Sequence, residues 1–207
     1  MASDKQFGPK VEGNAAKGTR KQRSFVPCIL IVVALLGAQA VAVASLGHPW
    51  ICTCGSVEFW YPDPAGPWTS QHLTDWYSFT HILHGFGFYA LLWLIAPRAS
   101  FGSRLLLAIG LEAAWEIVEN TPMVIDRYRQ QALARGYFGD SVLNSLSDTV
   151  FAASGFALAR ILPVWTSALV VVGTEVFLGY MIHDNLTLNI LQLIRPSEVI
   201  SRWQLGG

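Results

Sequence analysis

The stretch FVPCILIVVALLGAQAVAVASLG, from Phe25 to Gly47, contains no charged residue over its 23 positions. At about 1.5 Å per residue, a helix of this length spans about 35 Å, enough to cross a hydrocarbon core of about 30 Å. A basic segment precedes it, as in a secretory signal peptide, but the apolar run exceeds the roughly 7–15 residues of a signal sequence. The stretch therefore predicts an uncleaved transmembrane helix.

The composition of the whole chain agrees with a membrane protein. Of its 207 residues, 52% are hydrophobic and 14% are charged, whereas a soluble domain carries about 25% charged residues. The 14 basic and 14 acidic side chains give a formal net charge of zero, and a nucleic-acid-binding protein needs a basic excess. We therefore expect the lipid bilayer as the surroundings of this chain, and no nucleic acid as its partner.

Four further apolar segments follow the first. The sequence predicts an all-α, polytopic membrane protein with about five transmembrane helices, near residues 25–47, 79–97, 103–119, 141–163 and 165–182. Residues 25–207 would form one helical membrane domain, preceded by a disordered basic tail at residues 1–24. The loop of residues 48–78 is rich in Trp and Tyr, which settle at the membrane–water interface.

The placement of Lys and Arg predicts the orientation of the chain, because cytoplasmic segments carry the excess of these residues. The tail holds six of them, and none occurs from Ser24 to Pro97. With the N-terminus inside, the cytoplasmic side collects nine basic residues and the outer side collects five. We therefore expect a multi-pass protein of the cell inner membrane, with a cytoplasmic N-terminus, a periplasmic C-terminus and the loop of residues 48–78 outside.

This topology brings polar side chains of four helices to the outer face. The set consists of His81 and His84, of Glu112, Glu116 and Glu119, of Asp140, Asn144 and Asp148, and of Asp184 and Asn185 after the last helix. Within each of the first three groups the spacing of three or four residues places the side chains on one helical face. Ionisable side chains are costly in a bilayer, so they face the bundle interior and one another.

The chemistry of this set allows a divalent metal. Two imidazoles with several carboxylates suit Zn²⁺, Mn²⁺ or iron, and the candidate ligands are His81, His84, Glu112, Glu116 and Glu119. Candidate catalytic or orienting residues are Glu116, Glu119, Asp148, Asp140, Asn144, Asp184 and Asn185. Arg127 and Arg129 are candidates for binding an anionic headgroup of a substrate. A metal-bound water at this face would be a nucleophile for a lipid or an envelope precursor.

Other functions fit the same residues. Each polar side chain could instead reach interfacial water or cap a helix, as Asp140 or Ser141 could. The protein could be a non-enzymatic accessory or assembly subunit that docks on other membrane proteins. It could also be a small transporter or proton channel that uses Glu112, Asp148 and Glu175 as a relay, although no inverted repeat supports a transporter. The sequence leaves open whether the protein is an enzyme.

Two further features have several interpretations. Cys52 and Cys54 are separated by one residue in the outer loop, and such a pair could bridge, stay reduced, bind a metal or bridge to a partner. Glu175 lies within the last predicted membrane helix, where it could relay protons or pair with Arg160 or Arg104. The sequence does not decide between these roles.

Six motifs carry a resemblance to a known family. They are HPWICTCG at 48–55, SQH at 70–72, DWYSFTHILHG at 75–85, WEIVENTP at 115–122, GDSVLNS at 139–145 and HDNLTLN at 183–189. Together they resemble an uncharacterised bacterial family of multi-pass inner-membrane proteins, over nearly everything from the first helix to the C-terminus. The resemblance implies a membrane location, and it brings neither an activity nor assigned site residues.

Overall fold

The computed structural model describes the backbone of residues 15–206 and the side chains of residues 26–206. Within this part the protein is all-α, with eight helices and no strand. The helices are α1 (Ala15–Ser45), α2 (Ser78–Ile95), α3 (Phe101–Glu119), α4 (Pro122–Tyr128), α5 (Val142–Ile161), α6 (Val164–Ile182), α7 (Leu186–Ile194) and α8 (Glu198–Gln204).

The first helix is longer than its apolar segment. Helix α1 begins at Ala15, ten residues before the predicted start at Phe25, because alanine, lysine, arginine and glutamine favour helix even where the side chains are polar. The backbone of the predicted tail is therefore helical from Ala15 onward. Residues 1–14 lie outside the described residues, and the disordered tail at residues 1–24 stays a prediction.

Four helices have the length and composition of membrane spans. They are the part of α1 from Val26 to Ser45 together with α2, α5 and α6. Helix α3 has 19 residues and packs against α1 and α5 in the same bundle, but it carries Arg104 and three glutamates. The prediction of an all-α polytopic fold is confirmed, and the predicted five or so transmembrane helices correspond to these four candidate spans and α3. The helix boundaries differ from the prediction by at most two residues except at the start of α1.

The most extensive helix contact joins α2 to α5. Glycines lie at the crossing, and a Cβ built on Gly85 would collide with the backbone of Ala152, while one built on Gly155 would collide with the backbone of Ile82. Small residues allow two membrane helices to approach this closely. The contact fixes the start of α2, which carries both candidate histidines, against the start of α5.

A buried glutamine ties α1 to α5. The Gln39 amide nitrogen donates to the carbonyl and the hydroxyl of Ser145, at 2.9 and 2.8 Å. Its amide oxygen accepts from the Thr149 hydroxyl at 2.9 Å. A polar side chain with all these partners satisfied orients a helix in an apolar bundle without a functional role.

The long loop between α1 and α2 folds over one end of the bundle. Backbone N–H groups at the start of α5 donate to the carbonyls of Pro49 and Ser70, and Trp60 packs edge-to-face on Trp76 with ring centroids 5.2 Å apart. Cys52 and Cys54 are bonded to each other as a disulfide. The loop is therefore a structured cap, and it covers the end at which α2 and α5 begin.

Three short helices at this end were absent from the prediction. Helix α4 lies in the connection of residues 120–140, and α7 and α8 lie beyond the last long helix. They have only seven to nine residues each, too few for a helical period to stand out in the sequence. Pro122 at the first turn of α4 and the Asn185 cap of α7 are the local signals that mark two of these starts.

Candidate functional site

The candidate site lies where α2 and α5 begin and where α3 ends. His81 and His84 occupy successive positions on the inward face of α2, and Glu112 and Glu116 lie one turn apart on α3. Asp148 lies on the second turn of α5. Because α2 and α5 run opposite to α3, their first turns meet its last turns at one end of the bundle. The structure thus brings the predicted histidines and carboxylates together.

Glu112 collects both histidines. The His81 Nδ1 atom lies 2.6 Å from Glu112 Oε1, and His84 Nδ1 lies 2.9 Å from the same oxygen. The two rings meet edge-to-face at 5.0 Å. Because a carboxylate can only accept, each of these histidines directs an N–H toward Glu112. The other ring nitrogen, Nε2, is then left without a proton in the neutral imidazole.

Glu116 has no such donors. Its side chain is fully buried, and neither carboxylate oxygen has a hydrogen-bond partner among the side chains and backbone that the structure describes. His81 Nδ1 lies 3.2 Å from Glu116 Oε1, but its single proton already points to Glu112. A buried carboxylate without donors is destabilising by several kcal/mol unless a proton or a cation neutralises it.

Three further carboxylates, those of Glu119, Asp140 and Asp148, lie near Glu116. His81 Nε2 faces Asp148 Oδ2 across 3.7 Å, and one oxygen each of Glu116, Glu119 and Asp140 lie within 4.8 Å of one another. A gap of 3.7 Å is too long for a hydrogen bond. Two ligands at about 2.1 Å from a tetrahedral ion lie about 3.4 Å apart, so His81 Nε2 and Asp148 are close to a ligand spacing.

Asp140 is positioned from the loop before α5. Its carboxylate accepts from the Asn120 amide at 2.6 Å and from the Tyr137 hydroxyl at 2.8 Å. Burial nevertheless raises the pKa of Asp140, and burial with the neighbouring Asp140 charge holds the pKa of the Tyr137 phenol well above 10. Gly139 adopts a φ of +97°, and a side chain there would collide with His48. The backbone turn at Gly139 therefore sets the position of the Asp140 carboxylate.

A cavity of about 110 Å³ opens beside this cluster. Its polar lining includes His81, His84, Glu119, Asp140, Asp148, Tyr77, Tyr128 and Tyr137. Its apolar lining includes Pro64, Pro67, Trp115, Leu133, Leu186, Ile190 and Leu193. The cavity therefore has acidic and imidazole groups on one side and apolar walls contributed by the loop, α7 and the segment after α4 on the other.

Asp184 and Asn185 have structural partners instead. The Asp184 carboxylate accepts hydrogen bonds from four donors, which are the Tyr77 hydroxyl, the Asn185 backbone N–H, the Asn189 amide and the Gln204 amide. The Asn185 side chain accepts from the Leu188 N–H and so caps α7. These bonds join α2, α6, α7 and α8, and neither side chain is among the described residues that line the cavity.

Glu175 also holds the start of α7. Its two carboxylate oxygens accept from the backbone N–H groups of Leu186 and Thr187, each at 3.0 Å. A carboxylate at a helix N-terminus satisfies free N–H groups and favours the helix dipole. Within the described residues Glu175 forms no ion pair with Arg160 or Arg104. The structure therefore supports neither of the two ion pairs that the sequence allowed.

The side chains of the remaining predicted site residues, Arg127, Arg129 and Asn144, donate hydrogen bonds to backbone carbonyl groups. Arg127 donates to the carbonyls of Leu193 and Ile194 at the end of α7, at 2.7 Å each. Arg129 donates to the carbonyl of Tyr137 at 2.6 Å, and the Asn144 amide donates to the carbonyl of His72 at 2.9 Å. None of these three side chains lines the cavity in the described part of the chain.

The sequence pattern left out Asn120 and Tyr137, which position Asp140. Asn120 lies four residues after Glu116, on the same helical face, and this spacing is a signal that extends the Glu112, Glu116 series by one turn. Tyr137 lies in an irregular connection, where no periodicity predicts which way a side chain points. Its contact with Asp140 was not accessible from the sequence.

Comparison with known proteins places the chain among relatives without an assigned activity. It is 47% identical over 178 residues to a UPF0314 protein of Sphingopyxis alaskensis, covering 86% of this chain and 95% of that one. It is 45% identical over 186 residues to a UPF0314 protein of Paracoccus denitrificans, covering 90% and 94%. No solved structure matches the chain. Residues 43–206 match the family described as protein of unknown function DUF2585, and the chain belongs to this family.

Proposed function

We propose that the cluster around Glu116 binds a divalent metal ion, and that the protein uses this site on a lipid or an envelope precursor at the periplasmic face of the inner membrane. The residues of this cluster are His81, His84, Glu112, Glu116, Glu119, Asp140 and Asp148. The observation that carries it is the fully buried Glu116 carboxylate without a hydrogen-bond donor in the described residues, with ligand atoms of other carboxylates and a histidine around it.

The hydrogen bonds of the histidines favour a metal over a purely structural cluster. Glu112 holds the Nδ1–H of His81 and leaves Nε2 free to bind, which is the arrangement by which a carboxylate orients a metal-binding histidine. His81 Nε2, Asp148 and Glu116 would then be ligands, with Glu119 and Asp140 on the other side of Glu116. A divalent cation there would neutralise carboxylates that otherwise repel one another.

This donor set also indicates the class of ion. Imidazole nitrogen with carboxylate oxygen and no thiolate suits Zn²⁺, Mn²⁺ or iron. Such an ion supplies a Lewis acid for the hydrolysis or transfer of ester and phosphate groups. Glu119 lines the cavity and would act as the proton acceptor, and the half-buried Tyr137 hydroxyl donates to Asp140 beside it.

The cavity supports an amphiphilic substrate. Its apolar walls would hold acyl or isoprenoid carbon while the acidic and imidazole side receives the polar head. The hypothesis that Arg127 and Arg129 receive an anionic headgroup stays a prediction. In the structure both guanidinium groups donate to backbone carbonyls, so headgroup binding would require them to exchange these partners.

The proposed location of the protein in the inner membrane, with its site on the periplasmic side, depends on the distribution of basic residues. Residues 1–24, before the apolar part of α1, carry six Lys or Arg, and the loop over the site carries none between residues 48 and 78. Because Lys and Arg remain on the cytoplasmic side, the site end of the bundle would face the periplasm. Reporter fusions at the C-terminus test this orientation, and a cytoplasmic C-terminus would contradict it.

The decisive experiment is elemental analysis of the protein purified in mild detergent without chelators. We expect about one to two ions per chain in the wild type and less than about a tenth of that in Glu116→Gln. Glu175→Gln is the matched control, because it changes a glutamate that serves only the start of α7, and it should keep the metal. Equal metal in all three proteins, or none after incubation with Zn²⁺, Mn²⁺ and Fe²⁺, would contradict the proposal.

A second measurement separates the site from the other functions. In a deletion strain, Glu116→Gln and His84→Ala should fail to restore the phenotype while remaining inserted in the membrane at wild-type levels. A stoichiometric partner protein in a metal-free preparation would support an accessory subunit instead. Ion flux in liposomes that Asp148→Asn abolishes would support a channel, and full complementation by Glu116→Gln and His84→Ala would exclude the catalytic site.

A further inference from the structure

A second group of reactive side chains lies in the loop between α1 and α2, separate from the cavity. Cys52 and Cys54 are bonded through sulfur, and His72 lies next to them. Cys52 is 2% exposed, whereas Cys54 is exposed to solvent. One sulfur of this bond is therefore open to attack from outside, and the other is shielded.

The hydrogen bonds of His72 fix the position of its proton. Its Nδ1 atom accepts from the backbone N–H of Glu58 at 3.1 Å, so in the neutral ring the proton is on Nε2. His72 Nε2 lies 4.0 Å from Cys54 Sγ. The ring itself is buried, and it stacks on Tyr61 with the centroids 5.3 Å apart. An N–H therefore faces the exposed sulfur from a fixed ring.

This tautomer distinguishes between two chemistries of the Cys–His group. A metal ligand would need Nε2 without a proton, which would require Nδ1 to give up the Glu58 N–H. A sulfur anion, in contrast, is stabilised by an N–H donor as it stands. The arrangement of His72 therefore favours a thiolate at Cys54 over a metal bound by Cys52, Cys54 and His72.

Two more donors serve the sulfurs. The Ser56 hydroxyl lies 3.4 Å from Cys54 Sγ, and because a disulfide sulfur has no proton the hydroxyl is the donor. The backbone N–H of Cys54 donates to Cys52 Sγ at 3.2 Å. Both sulfurs would thus keep a hydrogen-bond donor when the bond between them opens and each becomes an anion in turn.

We propose that Cys52 and Cys54 form a thiol–disulfide exchange site, with Cys54 as the sulfur that is attacked and His72 as the residue that stabilises its thiolate. The co-reactant is a dithiol. This inference stands on the loop alone and is independent of the proposed metal site.

The exchange is balanced in two steps. A thiolate of the dithiol attacks Cys54 Sγ, the bond to Cys52 breaks, and its electron pair leaves on Cys52 Sγ, which takes up a proton. The second thiolate of the dithiol then attacks its own partner sulfur in the mixed disulfide, and Cys54 leaves as a thiolate that faces His72 Nε2–H and takes up the second proton. The dithiol loses two electrons and two protons to become a disulfide, and this chain gains them as two thiols.

The test uses the full chain in detergent with Cys28, the cysteine outside the bridge, replaced by alanine. Cys52→Ser leaves Cys54 alone, and Cys54→Ser leaves Cys52 alone as the matched control. We expect the Cys54 thiol to react with an aromatic disulfide reagent at neutral pH at least about tenfold faster than the Cys52 thiol, because it is exposed and its thiolate has donors. Equal rates, or a faster Cys52, would overturn the proposal.

His72 and Ser56 provide the second readout. In the Cys52→Ser protein, His72→Phe keeps an aromatic ring beside Tyr61 but removes the N–H, and it should slow the reaction of Cys54 about fivefold at neutral pH. Ser56→Ala, which changes one hydroxyl and leaves the ring in place, should slow it about twofold. His183→Phe is the control and should have no effect. Rates unchanged in both the His72 and Ser56 variants would overturn the role of these donors.

Metal binding is distinguished in the Cys28→Ala chain that keeps both Cys52 and Cys54. After reduction, Cys52 and Cys54 either remain free for alkylation or hold zinc together with His72. We expect two thiols per chain to react with maleimide, with or without one equivalent of Zn²⁺. Protection of both thiols by Zn²⁺ that is lost in His72→Phe would overturn the proposal in favour of a metal site.

Discussion

Two groups of buried carboxylates in this protein have opposite surroundings. Around Glu116, at the site end of α2, α3 and α5, the acidic oxygens face one another and two histidines, and both Glu116 oxygens lack a donor in the described residues. Around Asp184, where α6 meets α7 and α8, a single carboxylate accepts from four donors. Both side chains are at most 1% exposed, so burial does not distinguish them.

The difference lies in the number of donors. The cost of burying a carboxylate is offset by N–H and O–H groups that point at it. The protein itself supplies these groups to Asp184, which therefore links the ends of α2 and α6 to α7 and α8. We call this hydrogen-bonded group around Asp184 the joint. Glu116 has none in the described part of the chain, so its charge must be neutralised by a proton or a cation. An unsatisfied acid, and not a buried acid as such, marks the candidate site.

The largest effect should come from removing the joint. Asp184→Ala leaves four donors without their acceptor, and we expect a loss of about 3 kcal/mol in the free energy of unfolding. The loss should be measurable by denaturant titration in detergent, with earlier proteolysis of α7 and α8. Asp126→Ala, which removes a carboxylate whose side chain is 70% exposed, should cost less than about 0.5 kcal/mol. Similar losses in both variants would show that the four hydrogen bonds do not hold this junction.

A matched pair of glutamate substitutions should move stability in opposite directions. In metal-free protein, Glu116→Gln removes a buried charge without donors and should raise the free energy of unfolding by about 1 kcal/mol. Glu175→Gln leaves one of two backbone N–H groups at the start of α7 without its acceptor and should lower it by about 1 kcal/mol. Both are measured by the same titration after chelation. A loss in Glu116→Gln as large as in Glu175→Gln would remove the distinction between the two regions.

The sequence predicted the bundle and the composition of the site because both depend on local patterns. Long apolar runs set the helices, and spacings of three and four residues placed His81 with His84 and Glu112 with Glu116. The antiparallel order of the helices then brought these faces together. Gly85 and Gly155 fixed how closely α2 and α5 approach, which small residues in a membrane helix already indicate.

The donors of each acid were beyond the sequence. Asp184 and Asn185 were grouped with the site because they follow a helix that ends on the same face of the membrane. The sequence pattern predicts the face on which these side chains lie, but it does not predict their hydrogen-bond partners. Gln204 and Asn189, which bind Asp184, come from short helices that carry no clear period. The same holds for Arg127, whose guanidinium ends α7 at the carbonyls of Leu193 and Ile194. Long-range hydrogen bonds decide these roles.

The last prediction is a pH dependence of the stability that Asp184 contributes. Burial, together with the nearby Glu175 charge, raises the pKa of Asp184 to about 6, although hydrogen bonds from the Asn185 N–H, Tyr77 and Gln204 oppose the shift. The unfolded chain has a pKa of about 3.9 at this residue, so the folded protein holds the proton more tightly and loses stability as the pH rises from about 4 to about 6. Between pH 5 and 6.5 we expect a loss of about 1 kcal/mol from this group.

The contribution of Asp184 is isolated by its difference from Asp184→Asn, which has no titrating group at this position. The free energy of unfolding of the wild type minus that of the variant should fall over this range, while other titrating groups cancel. A difference that stays level or rises with pH would mean that the four donors outweigh burial and that the carboxylate is ionised throughout. Asp184 would then be held by charge-assisted hydrogen bonds at every pH tested. The donors alone would then decide whether a buried carboxylate is ionised, which strengthens the contrast with Glu116.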